Sequence, residues 1–206
     1  MTAIAYALTT KEKVKTYLGQ SGTSNDDLLD MMVAYVTDFI EGYCGGRRFA
    51  QATVTNEMHD TDNIHNVFLR NYPIVSLSAV EYRSGTVSSP VWNTYTAEGY
   101  ILYQDEGYVH FFSKLPKVMQ GIRFTYIAGF LVDFTHETDP TKHTLPYDLT
   151  WVATELTARL FQYKGTDGLK AMSTEGQSVM FYEADKYLNE IHRSILGKYQ
   201  AVRVTK

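Results

Sequence analysis

Two short stretches hold residue types able to do chemistry. "HDTDNIH", residues 59–65, gathers His59, Asp60, Asp62 and His65, nitrogen and oxygen donors of the kind that bind a divalent metal and activate water. The spacing matches no established metal motif, and neither HExxH nor a paired Cys-x-x-Cys supports it. A polar loop ahead of a strand is the favoured reading, and a metal-dependent hydrolase the alternative. "EGYCGGRRF", residues 41–49, sets the only cysteine, Cys44, beside Arg47 and Arg48. A reactive thiolate needs a helix N-terminus or adjacent positive charge. Cys44 falls instead at the C-terminal end of an expected helix, where the dipole is negative, and Gly45-Gly46 suits a left-handed helix terminator better than a phosphate loop. No GxSxG elbow, Walker motif or GxGxxG occurs, and His110, His136, His143 and His192 have no serine or carboxylate at diagnostic spacing. No catalytic residue, metal ligand or cofactor is assigned, and the expectation is a protein that is not an enzyme.

The elements that would position these residues begin with "TTKEKVKTYLG", where Thr9 stands three residues before Glu12 and Gly19 stops the helix. "SNDDLLDMMVAYVTDFIEGYCGG" is the clearest helix, with Ser24 as N-cap, Asp26 and Asp27 in the positive first turn and Gly-Gly as the stop. Leu29, Met32, Val33, Val36, Ile40 and Tyr43 make its apolar stripe. Met31, Tyr35 and Phe39 make a second one that needs a partner of its own, in the domain or from another subunit. From 50 to 130, β-branched and aromatic runs such as "IHNVFLR", "LSAVEYR", "VWNTY", "YILYQ", "YVHFF" and "GIRFTYIAG" alternate with turn residues, which predicts a small antiparallel sheet of about five strands. "LPYDLTWVATELTARLFQYKG" restarts helix behind Pro146, with Leu149, Val152, Ala153, Leu156 and Leu160 on one face, and "ADKYLNEIHRSILG" is a further candidate. The expected fold class is α+β: a mainly helical bundle core, residues 1–49 and 131–197, interrupted by a small antiparallel β-rich lobe at 50–130, with a basic tail at 198–206.

Charge narrows the partners. The chain of 206 residues has a net charge of −4, but residues 186–206 hold five Lys and Arg against one Glu, so the tail is basic and the body strongly acidic. An acidic body argues against a classical nucleic-acid binder, and a basic extension suggests reach toward another protein or the acidic surface of a like molecule. No apolar run approaches the ~20 residues of a bilayer span, and the N-terminus lacks the pattern of a signal peptide. A soluble protein with no membrane partner is expected. A single cysteine fits a reducing cytoplasm.

The order of several motifs resembles the head-tail connector, or adaptor, proteins of tailed bacteriophages and prophages. "VKTYLG", "NDDLLDMMV", "IEGYCGGRRF", "NYPIVSLSAVEY", "FTYIAGF", "LPYDLTWVATELTARLF", "EGQSVMFY" and "ILGKYQAVRV" follow one another along nearly the whole chain. The resemblance implies a non-enzymatic virion neck protein, assembled in the host bacterial cytoplasm. It would bind beneath the portal after DNA packaging and serve as platform for the next neck or tail-completion protein. It further implies a homo-oligomeric ring, a dodecamer in the virion and a monomer or ring in solution, through which genomic DNA passes without sequence-specific binding. Lys198, Tyr199, Arg203, Val204 and Lys206 become portal-binding candidates by this resemblance, and Met31, Tyr35, Phe39, Arg47 and Arg48 ring-interface candidates. A stopper or tail terminator is the nearest alternative within the neck.

Overall fold

The alternation of Ile122, Phe124 and Tyr126 with Arg123 and Thr125 predicts a strand buried on one face, and the computed structural model places those three at the centre of the molecule's larger core. It describes residues 6–86, 88–163, 171–174, 177–180 and 188–200. The chain divides into two compact units, one built from Met1–Gly45 and Val132–Gln200, the other around Gly46–Leu131.

The second unit is built of β-strands, with one 3-10 turn at Ala97–Gly99. Strands β1 (Ala52–Thr61), β2 (Ile64–Phe68), β3 (Ile74–Gly85), β4 (Pro90–Thr94), β5 (Tyr100–Tyr103), β6 (Tyr108–Leu115) and β7 (Val118–Ala128) form two antiparallel sheets, ordered β1-β7-β3-β4 and β2-β6-β5. Val80, Ile122 and Phe124 from the first sheet and Val67, Val109 and Phe111 from the second enter one apolar cluster, with the Phe111 and Phe124 rings 6.4 Å apart. Each such side chain contributes about 1.5–3 kcal/mol on leaving water. The strand ends close tightly at Gly129, whose φ of 107° is open to glycine, and where an added Cβ would lie 2.7 Å from the Ala50 carbonyl. Gly129→Ala is therefore expected to destabilise the β unit by about 1–3 kcal/mol, measured by denaturant titration.

The first unit holds α1 (Lys11–Leu18), α2 (Asp26–Tyr43), α3 (Tyr147–Gln162), a hairpin of β8 (Ala171–Thr174) and β9 (Gln177–Met180), and α4 (Glu190–Gly197). Val14 of α1, Leu29 and Val33 of α2, and Ala158 and Phe161 of α3 share its core. The helix ends follow local chemistry with shifts. Thr10, not Thr9, caps α1 by accepting the Lys13 N–H at 3.3 Å, because the Thr9 hydroxyl is buried against Thr154 at 2.6 Å. Asn25 stands at the α2 N-cap in place of Ser24. Gly19, Gly45 and Gly46 take positive φ, as helix terminators do.

This architecture corrects the expected fold class. The protein is not a mainly helical bundle with a small β lobe: strand residues outnumber helical ones among the described residues, and two sheets replace the single expected one. Two causes are visible. Strand β1, "ATVTNEMHDT", reads as a polar loop because its inward positions carry Glu57 and His59, whose polarity is satisfied by tertiary hydrogen bonds. The strands β3 and β7, at 12 and 11 residues, also run well past their apolar stretches.

Candidate assembly surfaces

The residues first suspected of metal chemistry are dispersed along β1, the turn that follows and the start of β2. His59 Nε2 lies 2.7 Å from Glu57 Oε1, Asp60 accepts the Gln120 N–H at 2.7 Å, and Asp62 meets Lys117 Nζ at 2.9 Å. His65 holds the Phe111 carbonyl at 2.8 Å and stacks on His110 with ring centroids 5.7 Å apart. Among the described residues, no group of three or more His, Cys, Asp or Glu side chains is placed to hold a metal. Cys44 is buried at the end of α2, its Sγ 3.8 Å from the Leu196 carbonyl. Of the remaining histidines, His143 accepts the Asp133 N–H at 3.1 Å, and His136 pairs with Asp133 at 2.8 Å. The Thr135 hydroxyl first, and His136 next, hold the Asp133 carboxyl down to about 2. These are loop-fastening contacts.

Glu57 is the most constrained of these groups. Its nearly buried carboxylate accepts from His59, from the Arg70 N–H at 3.1 Å and from the Tyr126 hydroxyl at 2.6 Å. Burial alone would push its carboxyl up, but the hydrogen bonds from His59 and Tyr126 outweigh it and hold the group below its ordinary range. Burial and that carboxylate push the Tyr126 hydroxyl up. The network pins β1 to β7 across the irregularity at Asn56, where φ is 55° and the register shifts.

The helical unit presents the largest aromatic features. Along α2, Leu29, Val33, Val36 and Ile40 face inward, which turns Met31, Tyr35 and Phe39 outward as a ridge at i, i+4, i+8. Met31 and Tyr35 are 65% and 61% exposed, so the ridge has no partner within the described chain that covers it. The five acidic residues of α2 face no Lys or Arg on the same helix. Lys11 and Lys15 of α1 reach Asp26 and Asp30. Sequence reasoning did not anticipate a second feature, a groove between α1 and α3 walled by Tyr17, Tyr147 and Trp151. Trp151 is 50% exposed and meets Tyr17 edge-on at 5.7 Å. The available signal was that Tyr147 and Trp151, four residues apart, fall off the α3 stripe of Leu149, Val152 and Leu156.

The other suspected interface residues separate. Arg47 is only 1% exposed; its guanidinium lies 3.3 Å over the Tyr72 ring and donates to the Tyr72 carbonyl. It is a buried part of the β unit, which corrects its assignment as a contact to a neighbouring copy. Arg48 is exposed, with its backbone N–H on Asn71 Oδ1 at 2.7 Å. Lys198 and Tyr199 close α4 onto α3: the Tyr199 hydroxyl donates to Asp148 at 2.7 Å and Lys198 Nζ lies 3.8 Å from the same carboxylate. One end of α4 therefore meets Asp148 while buried His192, 3.0 Å from Glu155, ties the other, so α4 runs antiparallel to α3. Burial would raise the Glu155 carboxyl, but His192 and Arg159 hold it below its ordinary value. Arg203, Val204 and Lys206 lie outside the described residues. No described helix is long and apolar enough to cross a membrane.

Comparison with known proteins bears on the family and the fold. A family model described as head completion protein matches residues 7–202. The fold is similar to a chain in a structure described as the neck of an empty gene transfer agent (GTA) particle computed with C6 symmetry. That match has TM-score 0.58 and 16% identity, and it covers 100% of this chain and 95% of the other. A chain in the neck of the native GTA particle computed with C12 symmetry matches with TM-score 0.50 and 16% identity over 94% and 89% of the two chains. No curated protein matches the sequence.

Proposed function

The chain belongs to the head completion protein family, and from that membership we propose that it is a structural, non-catalytic component of the neck of a phage-like particle, where it forms a ring under the portal. The observation that carries this reading is the family match, which spans nearly the whole chain, so both units take part in it. The similarity in fold to chains of GTA necks with C6 and C12 symmetry supports a ring, and with it a dodecamer. Met31, Tyr35 and Phe39 supply the ring contact, with Arg48 at the edge of the β unit. Lys198, Tyr199, Arg203, Val204 and Lys206 form the segment directed at the portal protein, and another surface receives the next neck or tail-completion protein. The acidic body suits a channel that lets DNA slide, since carboxylates repel phosphates that a basic wall would grip. Many equivalent weak contacts, repeated by the ring, sum to firm attachment.

Light scattering over a concentration range, alone and with the portal protein of the same genome, tests this. A ring-sized species, or a complex that forms only with portal protein, is the expected result. A chain that remains a 23.5 kDa monomer and ignores the portal protein overturns it.

A further inference from the structure

We propose that the Met31–Tyr35–Phe39 ridge of one copy seats in the groove between α1 and α3 of the next copy, against Tyr17, Tyr147 and Trp151; this pairing rests on the ring reading above. A ring closes only through a head-to-tail contact, which requires two different, complementary patches on opposite flanks of the subunit. The helical unit has both. The ridge is convex, with anchors at the i, i+4, i+8 spacing of a helix that lies in a groove. The groove is concave and walled by aromatic rings.

Their positions are opposed. Helices α1, α2 and α3 pack pairwise around the core of Val14, Leu29 and Phe161. Lys11 and Lys15 of α1 turn toward α2, whereas Lys13, Thr16 and Tyr17 turn to the groove, and among the described residues none from α2 lines it. The ridge therefore faces away from the core on one side and the groove opens on the other.

Charge selects this pairing over its symmetric rival. Two α2 ridges laid face to face would bring together helices that carry no cation and, beyond the Asp26 and Asp30 held by lysines of α1, three further carboxylates each. The groove lining carries one acid, Glu12, and one base, Lys13, whose Nζ meets Glu137 at 2.7 Å, so it sets fewer carboxylates against the acidic helix than a second α2 would. The thioether of Met31 and the rings of Tyr35 and Phe39 suit aromatic walls, which favour sulfur and edge-on ring contacts.

Mixing two defective copies tests the pairing. A ridge variant, Tyr35→Glu with Phe39→Glu, keeps an intact groove; a groove variant, Trp151→Glu, keeps an intact ridge. Each alone is expected to be monomeric, and an equimolar mixture to give a species of twice the chain mass, because only one competent contact then exists. A Trp151→Glu chain that assembles like the unaltered protein overturns the pairing and leaves the ring reading intact, as does a mixture that stays monomeric while the unaltered chain forms rings. An unaltered chain that never assembles, alone or on portal-bearing heads, overturns both. A photo-crosslinking residue at position 35, used on the assembled particle, adds a readout independent of the variants' folding. Crosslinks to peptides holding Tyr147 and Trp151 of another copy are expected, and crosslinks to any other segment or protein refute the pairing.

Discussion

Replacing Glu57 with alanine is expected to destabilise the β unit by about 3 kcal/mol or more, since it strips a nearly buried carboxylate from three donors at once. The Tyr126 hydroxyl and the Arg70 N–H would then lose their acceptor next to the main apolar cluster. Glu57→Gln retains the shape and one acceptor oxygen, so its cost is smaller, about 1–2 kcal/mol. The two tryptophans report separately: Trp92 lies in β4, 4.3 Å from the Arg123 guanidinium, and Trp151 in α3. In a Trp151→Phe background, Trp92 fluorescence follows unfolding of the β unit alone. A loss below 1 kcal/mol for the alanine variant would mean that the network does not hold β1. The same group sets an acid limit. Its carboxyl is held below the ordinary value in the folded chain, so its stabilisation is complete above the unfolded pKa near 4.3 and fades as pH falls through the folded value. The Gln variant should lose that part of the acid sensitivity.

Removal of residues 201–206 is expected to abolish attachment to portal-bearing heads and to leave the fold unchanged. The cut falls beyond Tyr199, so the clasp of Tyr199 and Lys198 on Asp148 and the tie of His192 to Glu155 stay in place. A longer deletion from residue 198 would break the first of these and confuse loss of binding with loss of α4. The missing segment contains Arg203 and Lys206, and in the proposed ring each copy repeats its contact. Head attachment is read by co-sedimentation, and the fold by the melting profile. Attachment at the unaltered level would assign portal binding to another surface.

Local chemistry made several features legible. Asp26 and Asp27 at the start and Gly45-Gly46 at the end bound α2, because carboxylates favour the positive end of a helix and glycine tolerates the left-handed turn that ends it. The alternation in β7 displayed its buried face, since a strand turns successive side chains to opposite sides. The balance of strand and helix was not legible: β1 puts Glu57 and His59 where an apolar pattern should be, and only their partners on β7 and in the loop at Arg70 make that acceptable.

Sequence patterns were enough to mark where α1 and α2 stop, the buried alternation of β7, and the surplus apolar face of α2. Each depends on residues within a turn or two of one another. The tertiary structure alone decided that the β unit has two facing sheets, that Arg47 is internal, and that Tyr17 meets Trp151 to form a groove. Those outcomes join residues distant along the chain, and nothing in a local pattern states which distant groups will satisfy a buried charge or complete an aromatic wall.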